Sequence, residues 1–365
     1  MLEKLVSYNI DNYIQICREC RRPFIFCDLN NNVNGYLCDD CFNSITRCQD
    51  CGKKVSFALF DGNCCIDCTS SKIIKNYNCR VQNYLSFLSY DSASNSIIKT
   101  VEPTPKTLYY GIEFEVQIRP QQAKEYLGFH NDDYKEYDDD DDDEEEEDLF
   151  ENSSMTRQEL ANRCWNRLGK DFAIIEHDGS VGYGFEIVTA PATLEVQKRV
   201  FKRFLEWFRN TKAFRTFRAT ECGIHIHVSR DALSPLQIGK IISFVHSPKN
   251  DVFMYSIAQR YSDHYANWKH EKKVSDVLRA SGNKYEAINL NNEKTIEFRI
   301  FQSDSRELQF MKNLEFVQAL IDFSSVASIP QMKDFHNFVS FIKEDKCYPY
   351  LNEFCKTEGT FKLAE

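Results

Sequence analysis

Four short segments of this 365-residue chain alternate apolar with ionisable residues. They are GIEFEV (residues 111–116), GFEIVTAP (184–191), CGIHIHVS (222–229) and TIEFRIF (295–301). A period of two marks a strand, because successive side chains point to opposite faces. Ile112, Phe114 and Val116 therefore share one face, and Glu113 and Glu115 the other. Ile224, Ile226 and Val228 likewise oppose His225 and His227, and Ile296, Phe298 and Ile300 oppose Glu297 and Arg299. If these segments share a sheet, its apolar face must be covered. The other face then gathers carboxylates, imidazoles and a guanidinium, the groups that hold metal and phosphate.

The surrounding sequence places these strands among helices. Thr156 and Glu159 have the spacing of a capping box ahead of Leu160, Cys164, Trp165 and Leu168. Residues 194–209 have helical apolar spacing, Ser234-Pro235 is a good helix entry, and residues 307–323 read as a long amphipathic helix. A strand is expected near residues 172–176, and KYEAINL is expected to pair with TIEFRIF through the NNEK turn. Strands and helices connected locally give an α+β class with a largely antiparallel sheet and helices on one face. The expected organisation is a cysteine-rich segment at 1–70, a linker at 71–105 closing with two prolines, a main domain at 106–330 and a C-terminal helical extension at 331–365.

Charge is concentrated in one place. Residues 132–148 hold fourteen acidic residues and one lysine, −13 against a total of −10, so the remainder sits near +3. A like-charge block of that length cannot pack, and residues 121–154 are expected to be a disordered insertion. No apolar run reaches the ~18 residues of a membrane span and no signal sequence is evident, so a soluble cytoplasmic protein without a membrane partner is expected. Abundant Asn, Lys, Tyr and Phe suggest an AT-rich genome, phage or viral.

Ten of the fifteen cysteines fall within residues 17–68. Cys17/Cys20, Cys38/Cys41, Cys48/Cys51 and Cys65/Cys68 are C-x-x-C pairs. Each such pair supplies two thiolates from one tight turn, so four pairs make two tetrahedral zinc sites. Sequential and cross-braced pairings both fit the spacing, and Cys64 can replace Cys65. Closed sites with four cysteine ligands hold small domains together, so structural Zn²⁺ and a surface for a protein partner are expected here. Arg18, Arg21 and Arg22 are offset by Asp39, Asp40 and Asp50, which argues against nucleic acid.

GIEFEV, DGSVGYGFEIVTAP, CGIHIHVS and NKYEAINLNNEKTIEFRIF, in this order, resemble the amidoligase family of ATP-dependent carboxylate–amine ligases. That family belongs to the glutamine synthetase and glutamate–cysteine ligase superfamily. The resemblance covers about residues 106–325 and leaves out the cysteine-rich segment and the acidic run. It implies a curved antiparallel sheet whose concave face binds ATP and Mg²⁺. Glu113, Glu115, Glu186, His225 and Glu297 match magnesium ligands, and Arg299 a phosphate contact. Asp178 and Ser180 match a turn near the substrate. Asn289 matches a polar contact to substrate or a structural hydrogen bond. Arg279 and Arg230 are candidates for a second nucleotide-binding arginine, and His227 reads as a supporting residue. The implied reaction joins a carboxylate and an amine, carried by small molecules, peptides or proteins, through an acyl phosphate. The alternative is a zinc-containing interaction adaptor with an inactive ligase-like domain. A metal-dependent hydrolase built on the His-x-His pair is a weaker third reading.

Overall fold

This computed structural model describes residues 14–16, 23–25, 45–47, 54–56, 60–61, 64–65, 73–75, 86–119, 155–181, 183–216, 222–260, 266–269 and 286–357. The chain divides into two compact units, Met1–Asn83 and Tyr84–Glu365. In the first, Ile14–Ile16 pairs with Pro23–Ile25, Ile45–Arg47 with Lys54–Ser56, and Phe60–Asp61 with Cys64–Cys65, all antiparallel. Of the eight expected zinc ligands only the backbone of Cys65 is described, paired with Phe60. Cys17, Cys20, Cys38, Cys41, Cys48, Cys51 and Cys68 lie outside the described residues, as do Arg279 and the insertion 121–154.

The larger unit contains β1 (Phe87–Asp91), β2 (Ser96–Thr100), β3 (Tyr110–Ile118), α1 (Arg157–Leu168), β4 (Ala173–Glu176), β5 (Gly184–Thr189) and α2 (Leu194–Asn210). It continues with β6 (Phe214–Arg215), β7 (Gly223–Ser229), α3 (Pro235–Val245), α4 (Asp251–Ala258), β8 (Ile288–Asn289), β9 (Thr295–Gln302) and α5 (Glu307–Val326). Three more helices close it: α6 (Ile329–Met332), α7 (Phe335–Glu344) and α8 (Pro349–Thr357). The main sheet runs β8-β9-β7-β3-β5-β4, with β6 also on β3, and every one of these pairings is antiparallel.

The alternation is realised as packing. Phe114 meets the rings of Phe208 and Phe310 at centroid distances of 5.7 and 5.5 Å, so α2 and α5 cover the apolar face of β3. Farther along, Phe301 on β9 meets Phe316 of α5, and Phe316 joins Phe244, Phe253 and Phe338 from α3, α4 and α7. Each such ring contributes on the order of 1.5–3 kcal/mol by leaving water. Buried Gln197 fastens α2 to the sheet: its amide donates to the Ala190 carbonyl at 3.1 Å and to Thr189 Oγ1 at 3.0 Å.

Local signals set the helix starts. Thr156 accepts from the Glu159 amide at 3.2 Å while the Glu159 carboxylate accepts from the Thr156 amide at 2.7 Å, the reciprocal pair of a capping box. Ser234 and Gln237 repeat this at α3, with Pro235 in the first turn.

Two boundaries differ from the sequence expectation. Residues 87–100, expected within a linker, form the β1–β2 hairpin of the larger unit. The Asp91 carboxylate nucleates its turn by accepting from the Ala93 amide at 3.0 Å, and Asn95 supplies the left-handed residue at φ 53°. The helices after residue 331 belong to the same compact unit. Leu351 and Phe354 of α8 are buried, and the Leu351 amide donates to buried Glu315 of α5 at 2.9 Å.

Candidate metal and phosphate site

Cross-strand register brings the ionisable residues together. Across β3 and β7, Glu113 lies opposite His225 and Gly111 opposite His227. Across β3 and β5, Glu115 lies opposite Glu186, and across β7 and β9, His227 lies opposite Glu297. Residues opposite one another in a ladder share a face, so the expected carboxylates and imidazoles do line one side of the sheet. The helices hold the other.

A β-bulge modifies the expected alternation. Ile226 pairs with Phe298 but Ile224 with Phe301, so Arg299 and Ile300 together oppose His225. Strict alternation would have turned Phe301 onto the polar face. The extra residue returns it to the core, where it is fully buried, and leaves Arg299 beside Glu297.

The side chains are tightly interlocked. His225 Nδ1 lies 2.9 Å from Glu113 Oε2 and 3.7 Å from Glu297 Oε1, and its Nε2 lies 3.6 Å from Glu115 Oε1. His227 Nε2 lies 3.0 Å from Glu113 Oε1, and its Nδ1 lies 3.2 Å from Thr295 Oγ1. Arg299 is ion-paired to Glu297, whose other oxygen accepts from the Asn289 amide at 2.7 Å. The Gly223 amide donates to Glu115. In the turn after β4, Asp178 Oδ1 accepts from the Ser180 amide at 2.7 Å and from Ser180 Oγ at 2.8 Å.

Among the described residues, three sets offer ligand atoms within 4.8 Å of one another: Glu113, His227 and Glu297; Glu113, Glu186 and His225; and Glu115, Asp178 and Glu186. The sequence reading treated His227 as a supporting residue, yet its ring stands in one of these sets. Arg230 is elsewhere: its Nη1 donates to the Leu290 and Asn292 carbonyls at 3.1 Å and ties down the β8–β9 turn.

Glu176 is a carboxylate that sequence reasoning passed over. It ends β4 directly opposite Glu186 and is buried, so Glu115, Glu186 and Glu176 form a row across three strands. Its signal in the sequence was the Glu two residues before Asp178, at the end of an otherwise apolar strand.

The electrostatics follow from this crowding. Burial would raise the Glu113 carboxyl, but the His227 and His225 imidazoles outweigh it and hold it well below its ordinary value. Burial raises Glu115 against the pull of His225 and Arg260. Burial also raises Glu186, which goes well above the carboxylate range because Glu113, Glu115, Asp178 and Glu176 add their repulsion. Burial would lower His227, yet Glu113 and Glu297 carry it up to about 9. A buried carboxylate among carboxylates ionises when a cation compensates it. The donor set, mostly oxygen with imidazole at its edge, therefore fits divalent cations such as Mg²⁺.

Fold and side chains together define an α+β protein with a metal-capable acidic–histidine patch on one face of a largely antiparallel sheet. No protein-family model matches the chain, and no curated protein matches it. Solved structures that match include the crystal structure of the complex between the prokaryotic ubiquitin-like protein Pup and its ligase PafA. The identity is 11% and the TM-score 0.28, with 62% of this chain and 50% of that chain covered. This chain thus spans half the length of that one, and so distant a likeness leaves the chemistry to be read from the side chains. Among the described residues, no helix is long and apolar enough to cross a membrane.

Proposed function

We propose that this chain is an ATP-dependent carboxylate–amine ligase acting at the Glu113–Glu297 face. The supporting observation is the convergence there of overlapping metal-capable sets with a guanidinium alongside. The residues are those on which the sequence resembles the amidoligases. Glu113, Glu115, Glu186, His225 and Glu297 would hold Mg²⁺, which supplies neutralising charge for phosphoryl oxygens when bound. Arg299 would offer its planar fork to those oxygens. Glu297 and Asn289 fix where that fork starts, because Asn289 holds one Glu297 oxygen and Arg299 the other.

A substrate carboxylate oxygen attacks the γ-phosphorus of ATP, the bond to the bridging oxygen breaks, and ADP leaves with an acyl phosphate formed. An amine nitrogen then attacks the acyl carbon, inorganic phosphate departs, and the nitrogen loses a proton to a base or to that phosphate. Charge builds on phosphoryl oxygens in both steps, so positioning and charge stabilisation suffice and no Ser or Cys nucleophile is needed.

The test is ADP release by the full chain with Mg²⁺, ATP and pooled carboxylates, with hydroxylamine as the amine so that an acyl phosphate is captured as a hydroxamate. Wild type should form hydroxamate and release ADP. Glu115→Gln should reduce both by roughly 10²-fold or more. Turnover unchanged in Glu115→Gln, or none with any pool, would sink the ligase reading. Metal binding without turnover would favour the adaptor.

A further inference from the structure

We infer that Arg260 is a positioning residue of this site, clamping the β-bulge that presents Arg299 to the carboxylate face. The inference rests on the ligase reading only for what Arg299 would touch. Arg260 comes directly after α4, where Gln259 at φ 56° closes the helix with its amide donating to the Tyr255 carbonyl at 2.9 Å. That left-handed residue turns the chain back toward the sheet.

The guanidinium bridges two strands. Its Nη1 donates to the Cys222 carbonyl, just before β7, at 3.1 Å, and its Nη2 donates to the Arg299 carbonyl on β9 at 3.0 Å. On the far side, the Arg299 amide donates to the Ala287 carbonyl at 3.0 Å. The backbone of the bulged residue is therefore pinned from both directions, which sets where its side chain begins.

Gly223 makes room for this arrangement. A Cβ at Gly223 would stand 2.4 Å from Arg260 Nη2 and 2.9 Å from its Cζ, so the guanidinium occupies the space a side chain would need. The same Gly223 donates its amide to Glu115, which ties the clamp to a second residue of the face. Of the guanidinium's remaining N–H groups, Nε is shut off from solvent with no hydrogen-bond partner among the described residues. An orphaned buried donor in a native fold calls for a reason, and holding a functional bulge supplies one. Neither Arg230, bound to the β8–β9 turn, nor any other arginine of the described residues bridges these two carbonyls.

The test reads Arg299 directly, in the full chain with guanidinium-¹⁵N-labelled arginine. Its Nε–H resonance is assigned by its loss in Arg299→Lys. In Arg260→Lys and in Gly223→Ala that resonance should shift and exchange with water about tenfold faster, while the Arg230 resonance stays in place. An Arg299 resonance unchanged in both variants overturns the proposal. Loss of folding in both, seen by thermal melting, also overturns it by making Arg260 a staple of the fold. In parallel, affinity for Mg²⁺ with a non-hydrolysable ATP analogue should fall about tenfold in Arg260→Lys and fall no further when Arg299→Met is already present. Equal losses in both backgrounds overturn the proposal. Failure of wild type to bind the nucleotide counts against the ligase reading instead, and the resonance measurement decides the role of Arg260.

Discussion

Glu186 and His227 both hold their protons more tightly in this crowded face, Glu186 through burial and carboxylate repulsion and His227 through the pull of Glu113 and Glu297. Glu186 has a folded pKa above its ordinary value, so it favours the fold when neutral, and that contribution is lost as pH rises through its folded pKa. Replacing it with Gln should raise the melting temperature of chelator-treated protein near neutral pH by a few degrees, at about 2–4 °C per kcal/mol for a domain of this size. The same change should weaken Mn²⁺ binding, measured by calorimetry. A lower melting temperature without metal would contradict the repulsion described. His227 is raised from 6.5 to about 9 by Glu113 and Glu297. Its stabilisation is complete below pH 6.5 and disappears as pH rises through about 9. In chelator, the wild-type melting temperature should therefore fall across that window, and His227→Gln should flatten the fall. Glu113 runs the other way: its stabilisation is present above 4.5 and is lost as pH falls through its depressed folded value.

At the scale of elements, the face depends on how closely β5 approaches β3. A Cβ at Gly184 would lie 2.0 Å from the Val116 carbonyl oxygen and 2.8 Å from Val181 Cγ1. Gly184→Ala must push the start of β5 off β3, and with it Glu186 away from Glu115. We expect a loss of about 3 kcal/mol or more, at the upper end for single substitutions, read from the urea midpoint. Thr156→Ala, by contrast, removes only the cap of α1. It should cost about 1 kcal/mol and leave metal affinity unchanged. A change in Mn²⁺ affinity in Thr156→Ala would mean that α1 is coupled to the face.

At the scale of the whole molecule, the chain joins a cysteine-rich unit, Met1–Asn83, to the unit that carries the face, Tyr84–Glu365. The four Cys-x-x-C pairs predict about two zinc ions per chain. Mass spectrometry of metal content on purified full-length protein checks this, and substantially fewer than two would remove the two-site reading. Zinc in thiolate sites resists Mg²⁺ exchange because soft ligands disfavour hard cations. Excess Mg²⁺ should therefore load the carboxylate face while leaving the zinc content unchanged.

How much was legible beforehand follows the range of the interactions. Period-two alternation named Glu113, Glu115, Glu186, His225, Glu297 and Arg299, because pleating alone decides which neighbours share a face. The Thr156–Glu159 and Ser234–Gln237 caps were readable for the same reason, since they close within three residues. Other features needed the third dimension. Glu176 joins the acidic row only because β4 pairs with β5, and the β1–β2 hairpin gains its place only by packing in the larger unit. The bulge at Arg299 arises because Phe301 must reach the core that α5 closes. Arg260 reaches its two carbonyls across 38 and 39 residues of sequence separation. The sequence by itself determined which groups could meet on one face. The tertiary structure decided their register, their charge states and which arginine holds the bulge, because those depend on burial and on partners distant along the chain.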